Sequence, residues 1–326
     1  MTVCMNRREH LLATAPQVAA SGWHDEHLIV DWSSTPPLRR EDLPADRRLR
    51  LLRVEGEPRW NLCRAYNFAL ARARGALLLK LDADCWPTAA FDPRDPALTV
   101  PALPPSAGGR LCAFGSGPEG RKGQFLIGRA LFEEVGGFNE HLVGYGFDDK
   151  DLRARLRLHL GRDPAVLPPE WVGVIPHSDE ERAERSAAGG RWLRASQGFA
   201  AMRASRQANR LLAALCPWGA RSTPSRYDEE APGRWRVRRD SLPRPPAPVA
   251  DEVEHERRMT FWSHFLAIPP VFLESLPFSL APPPREGRWP VRWWHRLWWH
   301  TGRRLLQAPV VLLAAARDVL QGGAAP

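Results

Sequence analysis

The sequence predicts an α/β fold built on a mostly parallel sheet flanked by helices. Three observations carry this. Short apolar, β-prone runs alternate with longer stretches of helical period, as βαβα units require. Two of those runs end in a carboxylate: HLIVD at 27–31, and ALLLKL at 76–81, which is followed by Asp82. Pro- and Gly-rich stretches mark the joints between the pieces.

The elements follow in chain order. Thr2 to Met5 reads as a first strand, and Glu9 to Ala20 as a helix with Pro16 as its weak point. His27 to Asp31 is a buried strand. Trp60 to Arg74 is helical, and Ala76 to Leu81 is the next strand. Pro93 to Pro118 is irregular around a short strand, RLCAF, and Gln124 to Gly128 forms another. Asp148 to Leu160 reads as a helix with Leu152, Leu156 and Leu160 on one face, and Val172 to Ile175 as the last strand of the core. Beyond about residue 205 the character changes to Pro-, Trp- and Leu-rich pieces. The expected division is therefore a catalytic domain over 1–205 and a C-terminal Pro/Trp-rich extension over 206–326.

The 326 residues are 44% hydrophobic, enough for a substantial core, and carry a formal charge of +9. Only Lys80, Lys122 and Lys150 are lysines, so the excess is arginine. No basic run interleaved with stacking aromatics occurs in the first two hundred residues, which argues against a nucleic-acid partner. Five cysteines without a C-x-x-C point to free thiols and away from a zinc site. With no signal-peptide pattern and no run of eighteen apolar residues, the expected location is cytoplasmic. Trp289, Trp293, Trp294, Trp298 and Trp299, interleaved with arginines, leave peripheral contact with the inner membrane face as an expectation for the tail. The same tail also reads as a segment packed on the catalytic domain.

Four pieces can carry chemistry. In LDADCWP, Asp82 and Asp84 flank one residue just after a buried strand. Such a pair can cap a turn or hold a divalent cation that also grips a diphosphate, and the strand-end position favours the second reading. In GYGFDDKDL, Asp148, Asp149 and Asp151 crowd a helix start; capping explains one or two acids there, and a third is available as a proton acceptor. His177 follows an apolar strand, as either a surface histidine or a metal ligand. Arg7 and Arg8, in CMNRREHL, face either solvent or a phosphate.

Together these pieces resemble the GT-A-fold glycosyltransferases of family 2, and most of all the β-1,4-galactosyltransferase-like branch with its galactosyltransferase C-terminal domain. NRREHL resembles that branch's N-R-x-E-H-L, LDADCWP its D-x-D strand end, and GGFNEHLVGYGFDDKDLRARL its G-W-G-x-E-D-x-D segment. His177 falls near the position of the family's metal-binding histidine. The likeness runs from Met1 to about Arg185.

The resemblance implies a Rossmann-like nucleotide-binding half joined to an acceptor-binding half. It also implies inverting, metal-dependent transfer from a nucleotide-sugar, by preference a UDP-sugar, to a glycan or lipid-linked acceptor. Asn6, Arg7 and Asp31 would contact the nucleotide. Asp82 would bind donor, Asp84 and His177 would hold Mn²⁺ or Mg²⁺, and Tyr145, Gly146 and Asp148 would line the substrate site. Asp149 would be the general base. Asp148 stands where the family has Glu, Phe147 replaces a small residue, and IVDWSS is closer to the family-2 uracil-side motif than to the galactosyltransferase branch. A nucleotidyltransferase of related fold is the alternative enzyme, though VCMNRREHL lacks the glycines its phosphate loop would carry. A non-catalytic membrane-surface adaptor is the alternative from another class.

Overall fold

In the computed structural model, residues 1–101, 109–118, 120–176 and 194–265 are described, with isolated positions between 293 and 320. The expected α/β architecture is present. In chain order the first elements are β1 (Thr2–Cys4), α1 (Arg8–Ala20), β2 (His27–Trp32), β3 (Leu49–Glu55), α2 (Leu62–Arg72), β4 (Leu77–Asp82) and β5 (Cys85–Pro87). There follow β6 (Thr99–Pro101), β7 (Gly109–Gly115), β8 (Phe125–Gly128), α3 (Arg129–Glu134), α4 (Asp148–Leu160), β9 (Ala165–Leu167) and β10 (Val172–Val174). The last are α5 (Arg194–Leu215), β11 (Tyr227–Ala231), β12 (Arg234–Val237) and α6 (Ala247–Phe265).

The main sheet runs β11-β12-β3-β2-β1-β4-β8-β7-β6, with β9 beside β7, while β5 pairs with β10 in a separate ribbon. From β12 to β4 all neighbours are parallel. At β8 the direction reverses, since β4 pairs with it antiparallel. The central strand β2 is buried along its whole length, all six residues, as expected where both faces are covered. Against β2 packs α2, whose buried face includes Tyr66, Phe68 and Leu70. Pro16 sits within α1 without ending it.

Two expectations are corrected. The strand expected as the last of the core, Val172–Val174, lies outside the main sheet, in the ribbon with β5. The hairpin β11–β12, inside the stretch assigned to the extension, pairs in parallel with β3 and widens the sheet at its edge. By internal contacts the chain forms two units, residues 1–176 with 213–245, and residues 177–212 with 246–326. The hairpin escapes the sequence because YDEEA is charged and half exposed, as suits an edge strand, and shows little apolar alternation. The second correction is β3 itself, LRLLRVE, whose arginines hide a strand that lies in register with the whole of β2. Among the described residues no helix is long and apolar enough to cross a membrane.

Candidate active site

Strand register brings the first two motifs together. Cys4 of β1 lies opposite Asp31 of β2, and Val3 lies opposite Asp82 of β4. The carboxyl ends of three adjacent parallel strands therefore present Asn6–Arg7, Asp31–Ser34 and Asp82–Asp84 along one rim, where ligands of open α/β sheets gather.

On the β2 side, Asn6 and Ser33 adopt positive φ, a conformation Asn tolerates better than most residues. The Asn6 amide donates to Ser34 Oγ at 3.0 Å, and Asn6 Oδ1 accepts from the Thr35 amide at 2.8 Å, so the two loops are laced to each other. Arg7 stands half-buried immediately before α1. Asp31 is fully enclosed. Its Oδ1 accepts from the Ser34 amide at 2.9 Å, its Oδ2 from the Leu38 amide at 3.0 Å, and Arg53 closes an ion pair on Oδ2. Asp31 thereby shapes the 33–38 loop and is enclosed by it.

On the β4 side, Asp82 is the hub. Lys80 Nζ donates to its Oδ1 at 2.8 Å and the Tyr66 hydroxyl donates to the same oxygen at 3.0 Å. Gln124 grips the aspartate from β8's side, its Nε2 donating to Oδ2 at 2.7 Å and its Oε1 accepting from the Asp82 amide at 2.8 Å. Burial would raise the Asp82 carboxyl, but Lys80 and these hydrogen bonds outweigh it and hold it below the usual carboxylate range. Lys80 is 2% exposed, donates also to the Gly123 carbonyl at 2.9 Å, and lies 4.5 Å from the Tyr66 ring centre. Burial pulls its pKa down, and the carboxylates beside it more than restore it.

At the third motif, Gly144, Gly146 and Phe147 all have positive φ, at 81°, 82° and 77°. For phenylalanine that is a strained conformation, of the kind that clusters where geometry is functional. The strained turn is followed directly by α4, so that Asp148 and Asp149 open the helix. Tyr145 is exposed on this turn, and Gly146 is half-buried. Asp151 is accounted for structurally: it is buried, and Arg155 donates to it from Nε at 2.9 Å. Asp148 is also buried. Burial first, then the neighbouring Asp149 charge and a hydrogen bond to Asp149, push its carboxyl well above the usual range. The ionised form of Asp148 is thus disfavoured, and Asp149 is the more accessible of the two.

The two halves of the site meet at Gly123. A Cβ built there would lie 3.7 Å from Asp82 Oδ2, 3.9 Å from Lys80 Nζ and 4.0 Å from Asp149 Oδ2. The strand-end and helix-start carboxylates thus face one backbone position that carries no side chain.

Asp84 is half-buried, its Oδ1 3.5 Å from the Cys85 thiol and its carbonyl accepting from the Ile175 amide at 2.8 Å. His177 lies outside the described residues, as does most of the Trp-rich tail. Among the described residues no three His, Cys, Asp or Glu side chains form a metal-holding group. Both oxygens of Asp82 are engaged by neighbouring side chains, so among the described residues Asp84 is the carboxylate of this pair that could hold a cation. Lys80, Tyr66, Gln124 and Gly123 were not singled out by the sequence. Lys80 did carry a signal: a lysine inside LLLKLD must be paired if that strand is buried.

Residues 118–166, from the turn before Gly123 through α4, match the family described as the N-terminal domain of galactosyltransferase. No curated protein matches the chain. Among solved structures, a mannosyltransferase from Pyrobaculum calidifontis in complex with GDP-Man and Mn²⁺ is similar at 14% identity and a TM-score of 0.43, covering 98% of this chain and 85% of that one. S. aureus TarS, residues 1–349, is similar at 13% identity and a TM-score of 0.38, with 83% of each chain covered.

Proposed function

We propose that this protein is an inverting, metal-dependent glycosyltransferase of the GT-A type. It moves a sugar from a nucleotide-sugar, by preference a UDP-sugar, to a hydroxyl of a glycan or lipid-linked acceptor. The observation that carries the reading is the convergence of Asp82 and Asp149 on Gly123 at the carboxyl edge of the parallel strands. The 118–166 match contributes the same segment independently.

In this reading the Asn6–Arg7 and Ser33–Thr35 loops receive the nucleotide, with Asp31 acting through the loop it shapes. Asp84 and His177 would hold Mn²⁺ or Mg²⁺, which would supply charge neutralisation for the departing nucleotide. Asp82, with its oxygens oriented by Lys80, Tyr66 and Gln124, lines the sugar subsite. Tyr145 and Gly146 form the acceptor floor, and Asp148 binds a substrate hydroxyl. Asp149 takes the proton from the acceptor hydroxyl as its oxygen bonds to the anomeric carbon. The bond from that carbon to the phosphate oxygen breaks with its electrons passing to the leaving nucleotide, and the configuration inverts. Burial disfavours the ionised form of Asp148, and Asp149, the more accessible member of the pair, is the one we assign as base.

The test is release of free UDP from a panel of UDP-sugars with Mn²⁺. Turnover is expected with at least one donor, lost in EDTA and restored by Mn²⁺. Full turnover in EDTA contradicts the metal assignment, and no release from any nucleotide-sugar contradicts the function.

A further inference from the structure

So far Lys80 enters the mechanism only through the Asp82 oxygen it orients, yet it is a fully buried ammonium at the centre of the site. A buried lysine is tolerated only when its charge and its donors are satisfied. Here they are satisfied by two groups that belong to different elements. One is the Asp82 carboxylate at the end of β4, at 2.8 Å, and the other is the Gly123 carbonyl in the turn that leads into β8, at 2.9 Å. The face of Tyr66 from α2 lies against the ammonium, and the Tyr66 hydroxyl returns to the same Asp82 oxygen. The side chain therefore ties β4, the Gly123 turn and α2 at a single point. The direction in which a Gly123 Cβ would project meets Asp82, Lys80 and Asp149 at nearly equal distances. Asp148 and Asp149 act on the ammonium as well as Asp82 does. The Asp82 and Asp149 carboxylates, from two elements, thus lie with this positive charge about one point. Without a cation, like charges so placed repel one another, and the strand-end and helix-start halves of the site lose their common anchor.

We propose that Lys80 is a positioning residue for sugar transfer: its buried ammonium, bridging Asp82 and the Gly123 carbonyl, sets the spacing between the strand-end Asp82 and the helix-start Asp149. This rests on the glycosyltransferase reading of the site. Lys80 touches neither donor nor acceptor, and it acts through the placement of the two carboxylates and of the backbone turn between them. The expected signature is loss of turnover at nearly constant donor affinity, because misplacement of reacting groups by about 1 Å costs on the order of 10² in rate.

The experiment compares wild type, Lys80→Gln and the double variant Lys80→Met/Asp82→Asn, reading kcat, KM for donor, UDP affinity and melting temperature. Lys80→Gln keeps a hydrogen-bond donor and removes the charge. The double variant removes both members of the ion pair, so that no uncompensated charge is left to unfold the protein. Lys80→Gln is expected to lower kcat at least tenfold, with UDP affinity within about threefold of wild type. The double variant is expected to melt near wild type, which shows that the ion pair is not what keeps the protein folded. If active wild type and Lys80→Gln share the same kcat, Lys80 has no positioning role. If kcat and UDP affinity fall together in both variants, in step with melting temperature, its role is structural only and the proposal is overturned. If wild type itself releases no nucleotide from any donor, the functional reading fails, and the role of Lys80 falls with it.

Discussion

Asp31 and Asp82 end the two strands that flank β1, at nearly the same level of the sheet, and they do different things. Asp31 is closed in by backbone amides of its own loop and by Arg53, so its charge is spent on shaping residues 33–38. Asp82 is held by Lys80 of its own strand, by Tyr66 of α2 and by Gln124 just before β8, and its side chain stays partly exposed. A strand-end aspartate in an α/β sheet is thus one sequence signature with two outcomes. Local amides make it a loop organiser, and long-range side chains make it an oriented group with an open face.

Substitution separates the two. Asp31→Ala removes the acceptor for two amides and leaves Arg53 without its buried partner, which commonly costs about 3 kcal/mol or more of stability. Chemical denaturation should show that loss. Asp82→Asn keeps shape and most hydrogen bonds, so its stability change should be smaller, while initial-rate assays should show turnover lowered by about 10². Equal stability losses with equal turnover would erase the distinction between the two aspartates.

A smaller effect is expected at the turn opposite Asp82. Phe147 has φ 77°, where glycine is unstrained. Phe147→Gly should release roughly 1 kcal/mol of backbone strain, partly offset by lost side-chain contacts, and slow turnover because the loop that aims Asp149 is no longer fixed. Thermal melting with steady-state kinetics measures both, and a variant that is less stable yet fully active would contradict a functional role for the strain.

The smallest effect calibrates the others. Asp46 is an ion-paired carboxylate away from the site, and hydrogen bonds from Arg48 hold its pKa at about 2. That lies below the usual value of about 3.9, so its stabilisation is fully present above pH ~4 and is lost as pH falls toward 2. Asp46→Asn should therefore cost on the order of 1 kcal/mol at neutral pH and little near pH 2, as denaturation curves at the two pH values would report.

Much of this was legible in the sequence because its signals are local. HLIVD, ALLLKL and the leucine period of 152, 156 and 160 predict their elements within a residue or two. Asp82, Asp149 and Asn6 announce themselves by position relative to those elements. What the sequence hid depends on pairing over distance. β3 and the β11–β12 hairpin are charged strands recognisable only by the partners they hydrogen-bond. The inward turn of Asp31 depends on Arg53, 22 residues away, and the grip on Asp82 depends on Gln124, 42 residues away. Gly123 matters only because of what surrounds it.

The central claim, that Asp82 and Asp149 form one transfer site with Asp149 as its base, is tested most directly by Asp148→Asn and Asp149→Asn side by side. Turnover and UDP affinity are measured for each. Loss of a general base commonly costs about 10² to 10⁴ in rate. Asp149→Asn should therefore lose at least two orders of magnitude in turnover and bind UDP like wild type, with Asp148→Asn the milder of the two. A fully active Asp149→Asn beside a dead Asp148→Asn would assign the base to the wrong aspartate, and two active variants would remove this helix start from the chemistry.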